Sequence, residues 1–275
     1  MKKFPIALQV YSVRDDAAAD FRGTMEKVKA MGYDGVELAG LYDLAPAEIS
    51  AILKEVGLVA LSAHVPYQTI IADMQKAIDD YKEIGCQYIA VPYLQEDERP
   101  GTAGYAAVYE NIKKFGALCH ENGVTLLYHN HDFEFTKVED GRYALDYMYE
   151  TIPATDLQTE LDTCWVKVAG EDPAAYIRKY ANRCPLVHLK DFQLNGEKPA
   201  QMYELIGIET NPNATPRGTF DFMPVGYGMQ NMPAILEAAE ESGALWVVVE
   251  QDRSKDEPPI VAVEKSIKYL KSLGL

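Results

Sequence analysis

Val124-Thr125-Leu126-Leu127-Tyr128-His129-Asn130-His131-Asp132-Phe133-Glu134 decides the fold. An apolar run with a β-branched start reads as a buried strand, and it ends on a crowd of imidazoles and carboxylates. Three more segments repeat the pattern. Leu157-Gln158-Thr159-Glu160-Leu161 leads to Asp162, Pro185-Leu186-Val187 leads to His188-Leu189-Lys190-Asp191, and Leu245-Trp246-Val247-Val248-Val249 leads to Glu250-Gln251-Asp252. Near-continuous apolar runs are what parallel strands covered by helices look like. Acids and imidazoles at the end of such strands are costly to bury without a partner. A shared divalent cation is the partner that an acid, a histidine and a second acid from separate strands have in common.

Working outward, strands are predicted at residues 6–11, 35–39, 59–63, 88–92, 124–129, 158–162, 186–189 and 246–250. Between them, apolar residues recur at three- and four-residue spacing, as in Phe21, Met25, Val28 and Met31, or Ile49, Ile52, Leu53 and Val56. Further helices are predicted over 70–84, 105–119, 143–152, 173–181, 232–242 and 259–273. Gly32, Gly57, Gly85 and Gly123 follow the last periodic residue of their stripes, the usual C-terminal stop. Pro173 and Pro259 suit first-turn positions. Eight strand–helix alternations predict an α/β fold, a (β/α)8 TIM barrel formed as a single domain over residues 1–275. A doubly wound sheet is the rival, but Tyr11-Ser12-Val13-Arg14-Asp15-Asp16 lacks its glycine-rich first turn. Residues 191–227 read as a long irregular loop insertion, with Asn211-Pro212-Asn213 at its tip and a role as lid or active-site wall.

Charge excludes several functions. Forty-two acidic against 26 basic residues give a formal charge of -16, which repels nucleic acid and anionic membrane surfaces. No window approaches a spanning helix, and the start of the chain lacks the apolar core of a secretory signal. Cys86, Cys119, Cys164 and Cys184 are far apart and form no C-x-x-C pair, so reduced thiols and a cytoplasmic location are expected. The tyrosine- and methionine-rich stretch 143–149 could serve a homo-oligomer.

In a barrel of this kind the chemistry sits at the C-terminal strand ends. Those positions hold Tyr11, Arg14, Glu37, His64, 129–134, Asp162, His188, Lys190, Asp191, Glu250 and Asp252. Period-2 alternation puts His129 with His131, His188 with Lys190, and Glu250 with Asp252 on shared faces, with Tyr128 and Asn130 on the opposite one. A mixed carboxylate–imidazole shell suits one divalent ion such as Mn, Co, Mg or Zn.

The chain resembles the xylose isomerase-like TIM barrel superfamily, the sugar phosphate isomerase/epimerase group related to inosose dehydratase. The resemblance is carried by Leu8-Gln9-Val10-Tyr11-Ser12-Val13-Arg14, Gly32-Tyr33-Asp34-Gly35-Val36-Glu37, Ser62-Ala63-His64, Tyr128-His129-Asn130-His131, Leu161-Asp162-Thr163, His188-Leu189-Lys190-Asp191 and Val249-Glu250-Gln251-Asp252. It implies a metal held by Asp162, His188 and Glu250 with a glutamate after the fifth strand. The group's E-x-x-N-x-x-E spacing, laid on this chain, puts Tyr128 at that glutamate, His131 at the asparagine and Glu134 at the second glutamate. Glu134 is then the expected fourth ligand. The departure draws the chain toward inosose dehydratases, whose Tyr-His-His-His run is similar.

The function implied is a divalent-metal-dependent sugar isomerase or epimerase working by proton abstraction next to a carbonyl, through an enediolate. The alternative is a lyase, either a dehydratase of keto-inositol or an eliminase of 3-keto-glycosides. Glu250, His131 and Lys190 are the expected catalytic groups. Glu37, His64, Tyr11, His129 and Trp165 are expected to hold a small-molecule sugar or cyclitol. No glycine-rich loop feeds a helix N-terminus near the eighth strand, so an unphosphorylated substrate is expected. The DNA-repair endonucleases that share this barrel need many more histidine ligands than the five present, and a basic face.

Overall fold

The computed structural model describes residues 3–196 and 218–275. Eight parallel strands close into a barrel: β1 (Ile6–Gln9), β2 (Gly35–Leu38), β3 (Val59–His64), β4 (Tyr88–Val91), β5 (Thr125–His129), β6 (Gln158–Asp162), β7 (Leu186–Leu189) and, last in the chain, β10 (Trp246–Val249). Chain order is barrel order, and β10 closes the ring between β7 and β1, with Val248 beside both His188 and Ala7. The strands lie where they were predicted to within two residues. β1 stops at Gln9 because the Gln9 side chain accepts the Tyr11 N–H at 2.9 Å and turns the chain into a 3-10 helix, Val10–Val13.

The helices are α1 (Arg14–Ala19), α2 (Phe21–Met31), α3 (Pro46–Val56), α4 (Tyr67–Ala72), α5 (Met74–Ile84), α6 (Tyr105–Glu121), α7 (Ala144–Thr151), α8 (Thr163–Val168), α9 (Pro173–Lys179), α10 (Met232–Glu241) and α11 (Pro259–Ser272). The helix predicted over 70–84 is two. Asp73 ends α4 in an extended conformation, and its side chain then caps α5 by accepting the Lys76 N–H at 2.9 Å. Gly32 and Gly57 end α2 and α3 with φ of 98° and 81°, the left-handed region that glycine enters cheaply.

Two apolar layers result. Side chains pointing outward from the strands meet the helices in the main core, which includes Leu8, Val36, Leu126, Leu161, Val187 and Val249. Inward-pointing side chains fill the barrel with a thinner plug: Ala7, Leu61, Tyr88, Ala90, Leu127, Leu186 and Val248, with Trp246 against them. Two residues further along the same faces the plug gives way to Gln9, His129, His188 and Glu250, all buried.

The insertion after β7 is not irregular where it is described. β8 (Asp191–Gly196) and β9 (Gly218–Met223) pair antiparallel, Phe192 opposite Phe222 and Leu194 opposite Phe220. Alternation turns Phe192, Phe220 and Phe222 to one face, where they pack with Trp165 and Cys164. The expected tip at 211–213 lies outside the described residues.

Candidate active site and metal centre

Each strand end delivers its side chain for a local reason. β5 continues to His129, so alternation sends Tyr128 outward and His129 inward. Asp162 ends β6 and starts α8: its Oδ1 accepts the N–H groups of Cys164 at 2.7 Å and Trp165 at 3.1 Å. That N-cap leaves Oδ2 aimed into the barrel. His188 sits beside Asp162 on one side and Val248 on the other, so it stands in the middle of the group. Glu250 and Asp252 follow β10 on one face, both buried.

The result is a closely spaced set of oxygens and nitrogens. His129 Nε2 lies 3.5 Å from Asp162 Oδ2 and 3.9 Å from Glu250 Oε2, and His188 Nδ1 lies 3.0 Å from Glu250 Oε2. His129, Asp162, His188 and Glu250 offer one ligand atom each within 4.8 Å of one another. Ligands sharing one divalent ion through bonds of about 2.1 Å have nearly this spread. Asp162 Oδ2, Glu160 Oε1 and Glu37 Oε2 are buried and have no hydrogen-bond partner. Buried oxygens so left are expensive unless a cation or water takes them, so the residues fit a divalent ion.

A second group overlaps the first: His64, His129, Glu160 and His188. Glu160 Oε2 is 2.7 Å from His64 Nε2, 3.2 Å from His129 Nδ1 and 3.4 Å from His188 Nε2. Glu37 Oε1 is 2.8 Å from His188 Nε2 and accepts the Gln9 amide at 2.8 Å. Glu160, absent from the predicted site, and Gln9 were both signalled by alternation: Glu160 must share the face of Asp162, and Gln9 that of Ala7.

Lys190 is 1% exposed, and its Nζ reaches Asp252 Oδ2 at 2.6 Å, Glu250 Oε2 at 3.1 Å and Asp162 Oδ2 at 3.4 Å. Burial alone would lower its pKa; the three carboxylates outweigh that and hold it above the ordinary lysine range. Burial pushes Asp252 up to about 7 and Asp162 up to about 6 despite Lys190. For Glu250, Lys190 and His188 overcome burial and keep the carboxyl well below its usual range. Burial, reinforced by Lys190, holds His131 well below the usual histidine range and therefore neutral. His64 moves the other way, burial being outweighed by Glu37 and Glu160, and rises to about 10.

Above this floor opens a cavity of about 350 Å³. Tyr11, His64, His129, His131, Lys190 and Glu250 line it, with Asp252 beside them and Pro66, Tyr67, Pro92 and Tyr93 forming an apolar wall. Among the described residues Lys190 is its one lysine or arginine, and His64, raised to about 10, is a second cation in the lining. Glu37 and Trp165 are fully buried and lie behind the lining. Trp165 backs the site, its ring 5.0 Å from that of His131 and 5.6 Å from Lys190 Nζ. Glu134 lies apart from both ligand groups. The 3-10 turn Phe133–Phe135 points its carboxyl back, where it accepts the Tyr128 hydroxyl at 2.6 Å and the His131 N–H at 2.7 Å. The structure thus puts His129, not Glu134, beside Asp162, His188 and Glu250.

Barrel, strand-end site and cavity together define a class, the TIM-barrel proteins with a buried carboxylate–imidazole set at the strand ends. Residues 25–273 match the xylose isomerase-like TIM barrel family, and the chain belongs to it. It is 24% identical to an inosose dehydratase of Clostridium beijerinckii over 91% of this chain and 89% of that protein. Among solved structures it is similar to a sugar phosphate isomerase/epimerase from Parabacteroides distasonis, with a TM-score of 0.77 and 23% identity over 99% of this chain and 95% of that one. It is also similar to a protein solved with a bound zinc atom, with a TM-score of 0.70 and 14% identity over 98% and 97% of the two chains. Among the described residues, no helix is long and apolar enough to cross a membrane.

Proposed function

We propose that the protein is a divalent-metal-dependent lyase that removes water from a neutral keto-sugar or keto-cyclitol. One observation carries the reading: one cavity is lined by His129 and Glu250 of the four-residue ligand set, whose other members lie directly beneath them, together with a neutral imidazole and a buried ammonium group. The likeness to an inosose dehydratase over nine-tenths of the chain supports a lyase, and the relative solved with zinc supports a metal. His129, Asp162, His188 and Glu250 would hold the ion, which when bound supplies a Lewis acid for developing negative charge next to the reacting carbon.

The chain's own residues do the rest. His131, neutral and lining the cavity, accepts the proton from the carbon next to the carbonyl. Lys190, held cationic, gives a proton to the hydroxyl on the next carbon, which leaves as water. One C–H and one C–O bond break and one C=C bond forms. Tyr11 and His64 face the ring hydroxyls. A phosphorylated substrate is disfavoured because Lys190 already serves three carboxylates and Glu98 also lines the cavity.

The test is incubation of manganese-loaded protein with inosose and with 3-keto-glucosides in D2O, followed by mass spectrometry and ultraviolet absorbance. Loss of one water with a rise in absorbance is expected. Deuterium uptake at the carbon next to the carbonyl without loss of water would replace the lyase by the epimerase reading, which the similarity to the Parabacteroides isomerase/epimerase favours. Absence of both reactions in protein carrying one ion per chain would refute the proposal.

A further inference from the structure

The two ligand groups cannot both be used by neutral histidines. They share His129 and His188, and each ring shows one nitrogen to each group. His129 turns Nδ1 to Glu160 Oε2 at 3.2 Å and Nε2 to Asp162 Oδ2 at 3.5 Å. His188 turns Nε2 to Glu37 Oε1 at 2.8 Å and Nδ1 to Glu250 Oε2 at 3.0 Å. A neutral imidazole has a lone pair on one nitrogen and a hydrogen on the other, so a carboxylate at one edge decides what the other edge offers.

Resting on the metal reading above, we infer that Glu160 is the positioning residue of the centre. Its carboxylate takes the Nδ1–H of His129, and the nitrogen presented to a divalent ion is therefore His129 Nε2; Glu37 Oε1, 2.8 Å from His188 Nε2, supports the second ring from the same side. Three observations set the direction. Glu160 and Glu37 are fully buried and lie outside the cavity lining, whereas Glu250 lines it, so among the carboxylates of the two groups the one that faces the cavity is on the Asp162–Glu250 side. Asp162 commits Oδ1 to the α8 cap and keeps Oδ2 for that side. The Glu160 group is also braced: His64 holds Glu160 Oε2 at 2.7 Å, its ring stacks on His188 at 5.4 Å and 9°, and Gln9 pins Glu37. Such outer carboxylates fix ring orientation and raise ligand basicity.

The readout is metal affinity. Chelator-stripped wild type, Glu160→Gln, Glu37→Gln and Asp162→Asn are titrated with Co(II) or Mn(II) against an indicator dye. The visible Co(II) spectrum and the thermal midpoint of each protein are recorded alongside. Expected are one ion per chain in the wild type and roughly 10- to 100-fold weaker binding for Glu160→Gln. That variant should keep the Co(II) spectral shape, because its inner ligands are unchanged. Asp162→Asn, which keeps the cap oxygen but loses the ligand, should show no tight binding. Glu37→Gln gives an independent reading if Glu160→Gln folds poorly, with weakening of the same order. Wild-type affinity in both glutamine variants would overturn the inference alone. Loss of the ion in Glu160→Gln with retention in Asp162→Asn, or two ions per chain, would place metal in the other group and overturn it too. No ion on the wild type would overturn it together with the reading on which it rests.

Discussion

Replacing Lys190 by methionine tests the charge balance of the site directly. Methionine keeps an unbranched apolar stem against Trp165 and Phe222, whose rings lie 5.6 and 5.2 Å from Nζ, and removes only the cation. Asp162, Glu250 and Asp252 are then left buried without their shared partner. Breaking a buried pair by deleting one member costs about 3–5 kcal/mol. At roughly 2–4 °C per kcal/mol for a chain of this size, the thermal midpoint should fall by about 6–20 °C. Two conditions should shrink the loss. Saturating manganese brings positive charge to Asp162 and Glu250. Acid does so by protonation: folding raises Asp162 to about 6 and Asp252 to about 7 from 3.8, so the fold prefers them protonated and stability is lost as pH rises through that window. The deficit of the variant should therefore be larger at pH 8 than at pH 5. Differential scanning calorimetry at both pH values, in chelator and in manganese, decides the matter. A fall equal in all four conditions would refute the reasoning.

Glu134→Gln should flatten the pH dependence of stability. Burial raises the Glu134 carboxyl to about 8 from 4.5, so the wild type loses stability between those values while the amide does not titrate; a midpoint difference constant from pH 4.5 to 8.5 would contradict this. Asp191→Asn should loosen the loop that follows β9. Asp191 accepts the N–H groups of Phe192 at 2.9 Å, Gln230 at 3.1 Å, and Gly226 and Gly228 at 3.0 Å each. An amide nitrogen in place of either oxygen faces two of these donors, at about 1–3 kcal/mol for each left unpaired. Faster hydrogen exchange at Gly226 and Gly228 and a lower urea midpoint are expected, and unchanged exchange would rule the role out.

The barrel was legible because its strands are apolar runs and its helices end on glycines, both of which are local signals. The site was legible as far as alternation was applied. It placed His129 and His131 together and Asp162, His188 and Glu250 at neighbouring ends. It was not applied to Glu160, which was read as part of the β6 run although it shares the Asp162 face. Glu134 was assigned by motif spacing, which carries no direction; the turn that follows β5 decides its direction and aims it at Tyr128 and the His131 amide. In the insertion, Phe192 and Leu194, then Phe220 and Phe222, repeat at period two, a strand signal outweighed by the length of the segment. What no local pattern reveals is the pairing of Glu160 with three histidines from three other strands.

The barrel divides its labour by direction. Strands of four to six residues give room for only a thin inward plug below one polar layer, so most apolar burial lies between strands and helices. The polar layer therefore adds little packing, and its five buried acids, Glu37, Glu160, Asp162, Glu250 and Asp252, outnumber the cations that face them, Lys190 and His64 among them. Such a layer is a cost carried for function, and relieving it should stabilise the metal-free protein. Glu160→Gln keeps the shape and an acceptor for His129 while removing a charge that burial and neighbouring Glu37 disfavour. The same substitution is expected to weaken metal binding. A gain in chelator that disappears in manganese would show that the acids are held in place by the ion and not by the fold.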